Sequence, residues 1–339
     1  MTDQQLTDQL QRPLRDFRIS VTDRCNFRCT YCMPAEIYGE AYKFLPNREL
    51  LNFEEITRVS RIMAKLGVEK LRLTGGEPLV RQHLNVLIEQ LATIPGIRDI
   101  AMTTNGVFLP GKAETLKAAG LRRVTVSLDS LDNEVFRHLN GGKAHVEDVL
   151  AGIQAAQAAG LTPIKINAVV KRGANDHTIV DLARFAKDHG HILRFIEFMD
   201  VGTRNGWSYE HVVGAQEIIQ RVGDALPLEP LPPKFYGETA MRYRFADGDG
   251  EIGVIASVTQ PFCGSCTRLR MSPQGKLYTC LFASEGFDLR ASLRAGASDA
   301  ELEDQLRGLW GRRKDRYSEE RTEESARERD KIEMYYIGG

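Results

Sequence analysis

The sequence predicts an α/β chain: an incomplete parallel βα barrel of about six strands, followed by a smaller C-terminal domain. Three observations lead there. Short apolar runs alternate with amphipathic helical stretches from Phe17 to about Met199, several of those stretches stop at a glycine, and Pro227, Pro230, Pro232 and Pro233 mark a break before a second set of short strands. Strand–helix units in series lay their strands parallel with the helices outside. A barrel built so carries its site at the C-terminal ends of the strands. Periodicity cannot show closure, so a flat doubly wound sheet is the alternative. The barrel is assigned to residues 9–228 and the second domain to 229–339.

The elements follow in order. Strands are expected at 17–22, 70–74, 97–103, 123–128, 164–170 and 193–198; Val124, Val126 and Leu128, or Ile164, Ile166 and Ala168, alternate strictly. A helix over 53–66 puts Ile56, Val59, Ile62, Met63 and Leu66 on one face, with Asn52 as N-cap and Gly67 past its end. Helices over 146–159 and 178–189 end at Gly160 and Gly190 in the same way. Beyond the prolines, strands are expected at 241–245, 251–257, 267–272 and 276–280. The stretch 312–333, dense in both charge signs, reads as a solvated helix or a mobile segment.

Composition narrows the class. With 339 residues, 42% hydrophobic and 27% charged, the chain has ample material for a core. A net charge of -1 gives no reason to expect nucleic acid or an acidic membrane as partner. No stretch is long and apolar enough to span a membrane. The polar start has no secretory signal, so a reducing, cytoplasmic compartment is expected.

The cysteines carry the chemistry. Cys25, Cys29 and Cys32 follow the first strand in a CxxxCxxC spacing. Three thiolates so spaced can wrap a corner of an iron–sulfur cube and leave the fourth iron without a protein ligand, free to hold a small molecule. Cys263, Cys266 and Cys280 form a second triad, and the two triads use all six cysteines. Structural zinc prefers four protein ligands, and disulfide frameworks suit small secreted chains. Both alternatives stay open, with the spacing favouring two open-site clusters. The seven histidines read as surface or helix-end residues.

Short motifs fall where barrel-end residues belong: Gly75-Gly76-Glu77-Pro78 after the second strand, Thr104-Asn105-Gly106 after the third, Ser127-Leu128-Asp129-Ser130 closing the fourth. Each alone is an ordinary turn. Together with CxxxCxxC they resemble the radical S-adenosylmethionine (SAM) superfamily. Residues 16–24, Cys29-Thr30-Tyr31-Cys32-Met33-Pro34, 72–78, Phe195-Ile196-Glu197-Phe198-Met199, 263–270 and the terminal Gly338-Gly339 resemble one family within it closely. That family is the GTP 3′,8-cyclases of molybdenum cofactor biosynthesis, and the resemblance runs from about Arg15 to Gly339.

The resemblance implies two 4Fe-4S clusters, one per cysteine triad, with SAM on the open iron of the first. Reductive cleavage of SAM then yields a 5′-deoxyadenosyl radical that takes the ribose 3′ hydrogen of GTP, and the carbon radical attacks guanine C8. It places Tyr31, Gly76, Ser127 and Met199 against SAM. Arg18, Arg72, Thr103, Lys165, Arg194, Arg268, Leu269 and Arg270 are placed against GTP, with Arg268 and Arg270 also assisting catalysis. Arg268 and Arg270 lie two apart on a strand and so project from one face, and guanidinium forks suit phosphate oxygens. No GxxxxGKS or GxxxxGKT sequence occurs, so GTP is the molecule to be rebuilt and not a fuel. Gly338 and Gly339 would enter the active site, although composition alone reads them as a frayed end. A flavodoxin- or ferredoxin-type electron donor and a downstream cyclic pyranopterin monophosphate synthase are the implied partners, with room for a homodimer. A radical SAM peptide-modifying enzyme and a zinc-stabilised binding module are the competing readings.

Overall fold

A computed structural model describes residues 5–328 and 330–338. Six parallel strands form its centre: β1 (Asp16–Ser20), β2 (Lys70–Thr74), β3 (Asp99–Thr104), β4 (Arg123–Ser127), β5 (Lys165–Val170) and β6 (Ile192–Glu197). Between them run α1 (Phe53–Lys65), α2 (Leu84–Ala92), α3 (Ala113–Ala118), α4 (Asn133–Asn140), α5 (Val146–Ala158) and α6 (Ile179–Asp188). After α7 (Ala215–Ala225) come β7 (Leu228–Leu231), β8 (Met241–Phe245), β9 (Glu251–Ile255), β10 (Arg268–Met271), β11 (Lys276–Tyr278) and β12 (Phe287–Asp288). The chain closes with α8 (Leu289–Arg294), α9 (Asp299–Gly311), α10 (Tyr317–Glu320), α11 (Glu323–Glu328) and α12 (Met334–Ile337).

All twelve strands make one sheet, in the order β12-β11-β10-β1-β2-β3-β4-β5-β6-β9-β8-β7. The six central strands stand in sequence order, and β10 and β9 pair parallel to β1 and β6 at either side. The division expected between 228 and 229 therefore falls inside β7, and residues 229–339 extend the barrel sheet at both edges. β12 and β7 are its two ends, so the barrel is open as expected.

Local chemistry sets these elements. Asn52 caps α1 in a reciprocal box with Glu55, at 2.7 and 2.8 Å, a contribution of about 1 kcal/mol. On the sheet, Phe17, Ile19, Leu71, Leu73, Ile100, Met102, Val124, Val126, Ile166, Ala168, Leu193 and Phe195 face the helices in one continuous core. Parallel strands covered on both faces normally read as unbroken apolar runs. Here the alternation leaves the other face polar, so the lumen is not filled with aliphatic side chains as in a closed barrel.

Two expectations need correcting. The proline-rich stretch is not only a break: Pro230 sits in β7, an edge strand, where its missing N–H leaves no ladder bond unmade. The stretch 312–333 is not simply solvated. Arg313, Tyr317 and Lys331 are buried, because their polar groups meet partners: Arg313 the Cys266 carbonyl, Tyr317 and Lys331 the Asp200 carboxylate.

Candidate active site

At the C-terminal ends of the central strands lies a cavity whose lining includes Cys25, Cys29, Cys32, Gly76, Thr103, Ser127 and Met199. The first triad thus opens onto it, as expected. Burial pushes the Cys25 thiol up to about 12, with Glu77 adding to the effect. Burial, then Cys25 and Cys32, holds Cys29 well above the ordinary thiol range. Three thiols that resist ionisation alone need bound cationic iron to become thiolates together. Among the described residues no three His, Cys, Asp or Glu side chains converge on one ion-sized point. A cube requires no such point, since each thiolate binds its own iron. All six cysteines are free.

Two buried carboxylates frame this cavity, Glu77 and Asp129; both lie inside the strand-end motifs, which by themselves give neither a role. Glu77 accepts from Thr104 Oγ1 at 2.8 Å, Asn105 N at 2.8 Å and Leu79 N at 3.0 Å, tying the GGEP loop to the loop after β3. Burial outweighs those bonds and lifts its carboxyl to about 7. Asp129 accepts from the Tyr31 hydroxyl at 2.7 Å and from Val169 N at 2.9 Å, and burial lifts it to about 6. Tyr31 is thereby fixed between Cys29 and Cys32. Gly76 lines the cavity, but its missing side chain has a second reason: a Cβ there would lie 2.4 Å from the carbonyl oxygen of Arg24. Gly76→Ala should push back the loop carrying Cys25, costing about 1–3 kcal/mol. A lower thermal midpoint, together with iron lost from the first site only, is the expected result.

A second cavity is lined by Cys263, Cys266, Cys280, Arg12, Arg268, Arg270, Arg313 and again Met199. Met199 therefore stands on the wall of both cavities. Burial alone would raise the Cys266 thiol, but the Arg268 and Arg313 guanidiniums outweigh it and bring it down to about 5. Arg268 Nε donates to Cys266 Sγ at 3.2 Å, and Arg313 Nη1 to the Cys266 carbonyl at 2.7 Å. From the far end of the chain Arg12 Nη1 donates to the Cys263 carbonyl at 2.8 Å. The two sites differ electrostatically: acidic neighbours surround the first triad, arginines the second. No sequence motif pointed to Arg12 or Arg313.

The lumen holds a layer of cations that reaches the lining of both cavities, through Arg270 at the second and through Thr103 and Asn167 at the first. Arg18 pairs in register with both Arg72 and Arg270, so the three side chains share one face. Arg72 Nη1 donates to Thr103 Oγ1 at 3.1 Å and Thr125 Oγ1 at 3.3 Å, and Arg194 Nε to Asn167 Oδ1 at 2.9 Å. Lys165 lies alongside on β5, in register with Thr125. The acids are few: Asp16 is bonded to Lys70 at 2.6 Å, and Asp99 is paired with Arg123. Burial, then Arg270, holds the Arg18 guanidinium well below its ordinary range, and the Nε atoms of Arg18, Arg72 and Arg270 have no hydrogen-bond partner among the described residues. Leu269 turns its side chain into the core, on the opposite face, because alternate residues of a strand point opposite ways. Only its main chain can reach a ligand.

The C-terminal residues come to the first cavity. Met334 and Tyr335 line it, and the Tyr335 hydroxyl meets that of Tyr42 at 2.9 Å. Gly338 is buried against Thr74 with φ +69°. Gly339 lies outside the described residues.

An open parallel barrel whose CxxxCxxC thiols face a cavity at the strand ends defines the radical SAM class. Residues 19–186 match the family described as the Radical SAM superfamily, and residues 191–319 that described as Molybdenum Cofactor Synthesis C. Over 99% of both chains the sequence is 52% identical to a GTP 3′,8-cyclase of Acidothermus cellulolyticus and 49% identical to one of Staphylococcus haemolyticus. The chain belongs to the GTP 3′,8-cyclase family. Among solved structures it is similar to Streptococcus suis SuiB bound to S-adenosylmethionine, with a TM-score of 0.59 at 15% identity, covering 88% of this chain and 65% of that one. That likeness shows the fold.

Proposed function

We propose that the chain converts GTP to (8S)-3′,8-cyclo-7,8-dihydroguanosine 5′-triphosphate, an early step of molybdenum cofactor biosynthesis, with SAM and two 4Fe-4S clusters as cofactors. The observation that carries this reading is the buried cationic lumen, which touches the cavities of both thiol triads through Arg270, Thr103 and Asn167. So many guanidiniums with so few acids beside them favour a polyanion among them, and a triphosphate supplies one. Cys25, Cys29 and Cys32 would hold the first cluster, and Cys263, Cys266 and Cys280 the second. The first cluster with SAM supplies the one-electron chemistry that removes the ribose 3′ hydrogen and lets that carbon bond to guanine C8.

This chain's own residues do the positioning. Tyr31, Gly76, Ser127 and Met199 shape the SAM side. Arg18, Arg72, Thr103, Lys165, Arg194, Arg270 and the main chain of Leu269 take the phosphates. Arg268 and Arg270 stand where the guanine end meets the second site. Holding both ends of GTP fixes the ribose, which is how a protein speeds a reaction whose bond-breaking is done by a cofactor. A one-electron donor of flavodoxin or ferredoxin type, and cyclic pyranopterin monophosphate synthase consuming the product, complete the reading, with the cytoplasm as its compartment. Among the described residues no helix is long and apolar enough to cross a membrane.

The test is anaerobic reconstitution, reduction, and addition of SAM and GTP. Chromatography with mass spectrometry should give 5′-deoxyadenosine and a new species of the mass of GTP. Deoxyadenosine with unaltered GTP would keep the class and overturn the substrate.

Binding has a pH signature. Burial, then Arg194, brings the Lys165 ammonium down to about 7, and a phosphate beside it raises it again. Below pH 7 Lys165 is charged both free and bound, so affinity does not depend on its titration. Above it the free amine must take up a proton on binding, so affinity for GTP falls as pH rises, by up to about tenfold per unit. Dissociation constants from pH 7.5 to 9 should show this slope, and Lys165→Met should flatten it. A flat profile in the unsubstituted chain removes Lys165 from the phosphate site.

A further inference from the structure

Outside the two cavities, the most developed cluster of buried charge lies where the chain leaves β6. Asp200 follows Met199, the residue shared by both cavity walls. Its carboxylate collects three donors from the C-terminal segment. Arg321 Nε reaches Oδ1 at 2.8 Å, while Lys331 Nζ and the Tyr317 hydroxyl reach Oδ2 at 2.6 and 2.5 Å. In both ion pairs every side chain is 1% exposed or less. Arg321 also donates to the Ser257 carbonyl at 3.0 Å and lies over the Phe282 ring, 5.1 Å from its centroid. Two residues past Lys331, Glu333 accepts from Thr203 N at 3.0 Å and Thr203 Oγ1 at 2.8 Å. Met334 and Tyr335, at the first cavity, come next.

A buried carboxylate with two cations adds little stability over an apolar packing of the same volume. What such a cluster does provide is geometry, since a shifted register strands a buried charge. The segment needs that help: α10 and α11 are four and six residues long, too short to hold themselves. Asp200 reaches across 121 residues to Arg321 and 131 to Lys331, joining the loop after β6 to the end of the chain.

We infer that Asp200 is a positioning residue: its pairs with Arg321 and Lys331 latch the C-terminal segment so that residues 334–338 are held at the first cavity. This rests on the reading that the tail works there. The test uses the full chain with both clusters reconstituted, carrying Lys331→Met, Asp200→Asn or Asp200→Glu. Lys331→Met leaves the Asp200–Arg321 pair to hold the fold. Amide hydrogen exchange over residues 330–338 should quicken about tenfold or more. The kcat for cyclisation should fall about tenfold, with KM for GTP within about twofold and iron content unchanged. Asp200→Asn should exceed both effects, and Asp200→Glu should recover part of them. If Asp200→Asn does not fold, Lys331→Met decides alone. Unchanged exchange in Lys331→Met overturns the latch, whatever the activity. Faster exchange with full turnover overturns the positioning role; if a chain ending at Ile337 also cyclises GTP, that failure traces to the tail reading and not to the latch.

Discussion

Gly338→Ala is expected to abolish most cyclisation while leaving the fold and both clusters in place. A Cβ at 338 would lie 1.6 Å from Thr74 Oγ1 and 2.7 Å from Thr74 Cβ, a full overlap with the end of a central strand. The φ of +69° adds about 1 kcal/mol of strain for any residue with a side chain. One of the two must move. β2 is paired on both sides, with β1 and β3, whereas the tail is the last turn of the chain, so the tail gives way. Withdrawal removes contacts local to 334–338 and little else, so the thermal midpoint should stay within about 2 °C. Turnover should fall at least about a hundredfold, measured as product per deoxyadenosine formed, and a chain ending at Ile337 should match it. Undiminished turnover in Gly338→Ala would mean that the tail has no part in the reaction.

The tail also marks where the sequence stops being readable. Composition gives a terminal Gly-Gly as a fraying end, and only the family resemblance pointed elsewhere. What holds Gly338 is contact with Thr74, a residue 264 positions earlier, and no local pattern encodes that. The same limit explains Arg12 and Arg313. Each looks like one charge among many in the sequence, yet both converge on the carbonyls of the second triad. Asp200 was hidden for a further reason: its partners lie in 312–333, where mixed charge imitates a solvated helix. By contrast, the central strands are legible because alternation survives in the structure, strictly in β5 and β6, and the expected bounds of β2 and of the outer strand β8 match to the residue. Alternation also held a clue to function that periodicity alone did not reveal. Arg18, Arg72 and Arg194 occupy the lumen-facing half of that period, so the polar face of each strand is the site itself. β7 gives no strand signal because its proline reads as punctuation, and β12 gives none because two residues carry no periodicity.

Arg18→Met should make the protein more stable and its grip on GTP weaker. Arg18 sits in register between Arg72 and Arg270, and the acid beside it, Asp16, is already bonded to Lys70 at 2.6 Å. At the spacing of neighbouring strands, two like charges repel by about 3–4 kcal/mol for an effective dielectric near 20. Methionine keeps most of the apolar stem, so little packing is lost. Losing the attraction to Asp16 offsets part of the relief, leaving a net gain of about 1 kcal/mol, or a rise of about 2 °C in the thermal midpoint of the nucleotide-free protein. With GTP the sign reverses. A charge-assisted fork on the triphosphate is gone, and binding should weaken by about thirtyfold or more. Added salt should narrow the stability difference less than it narrows the binding difference, since the lumen is screened less than a phosphate arriving from solvent. Calorimetric unfolding without nucleotide, paired with equilibrium GTP binding, measures both signs in one pair of proteins. A less stable variant that binds GTP normally would show that Arg18 is a structural cation of the barrel, and the triphosphate would then have to be sought away from the Arg18, Arg72 and Arg270 layer.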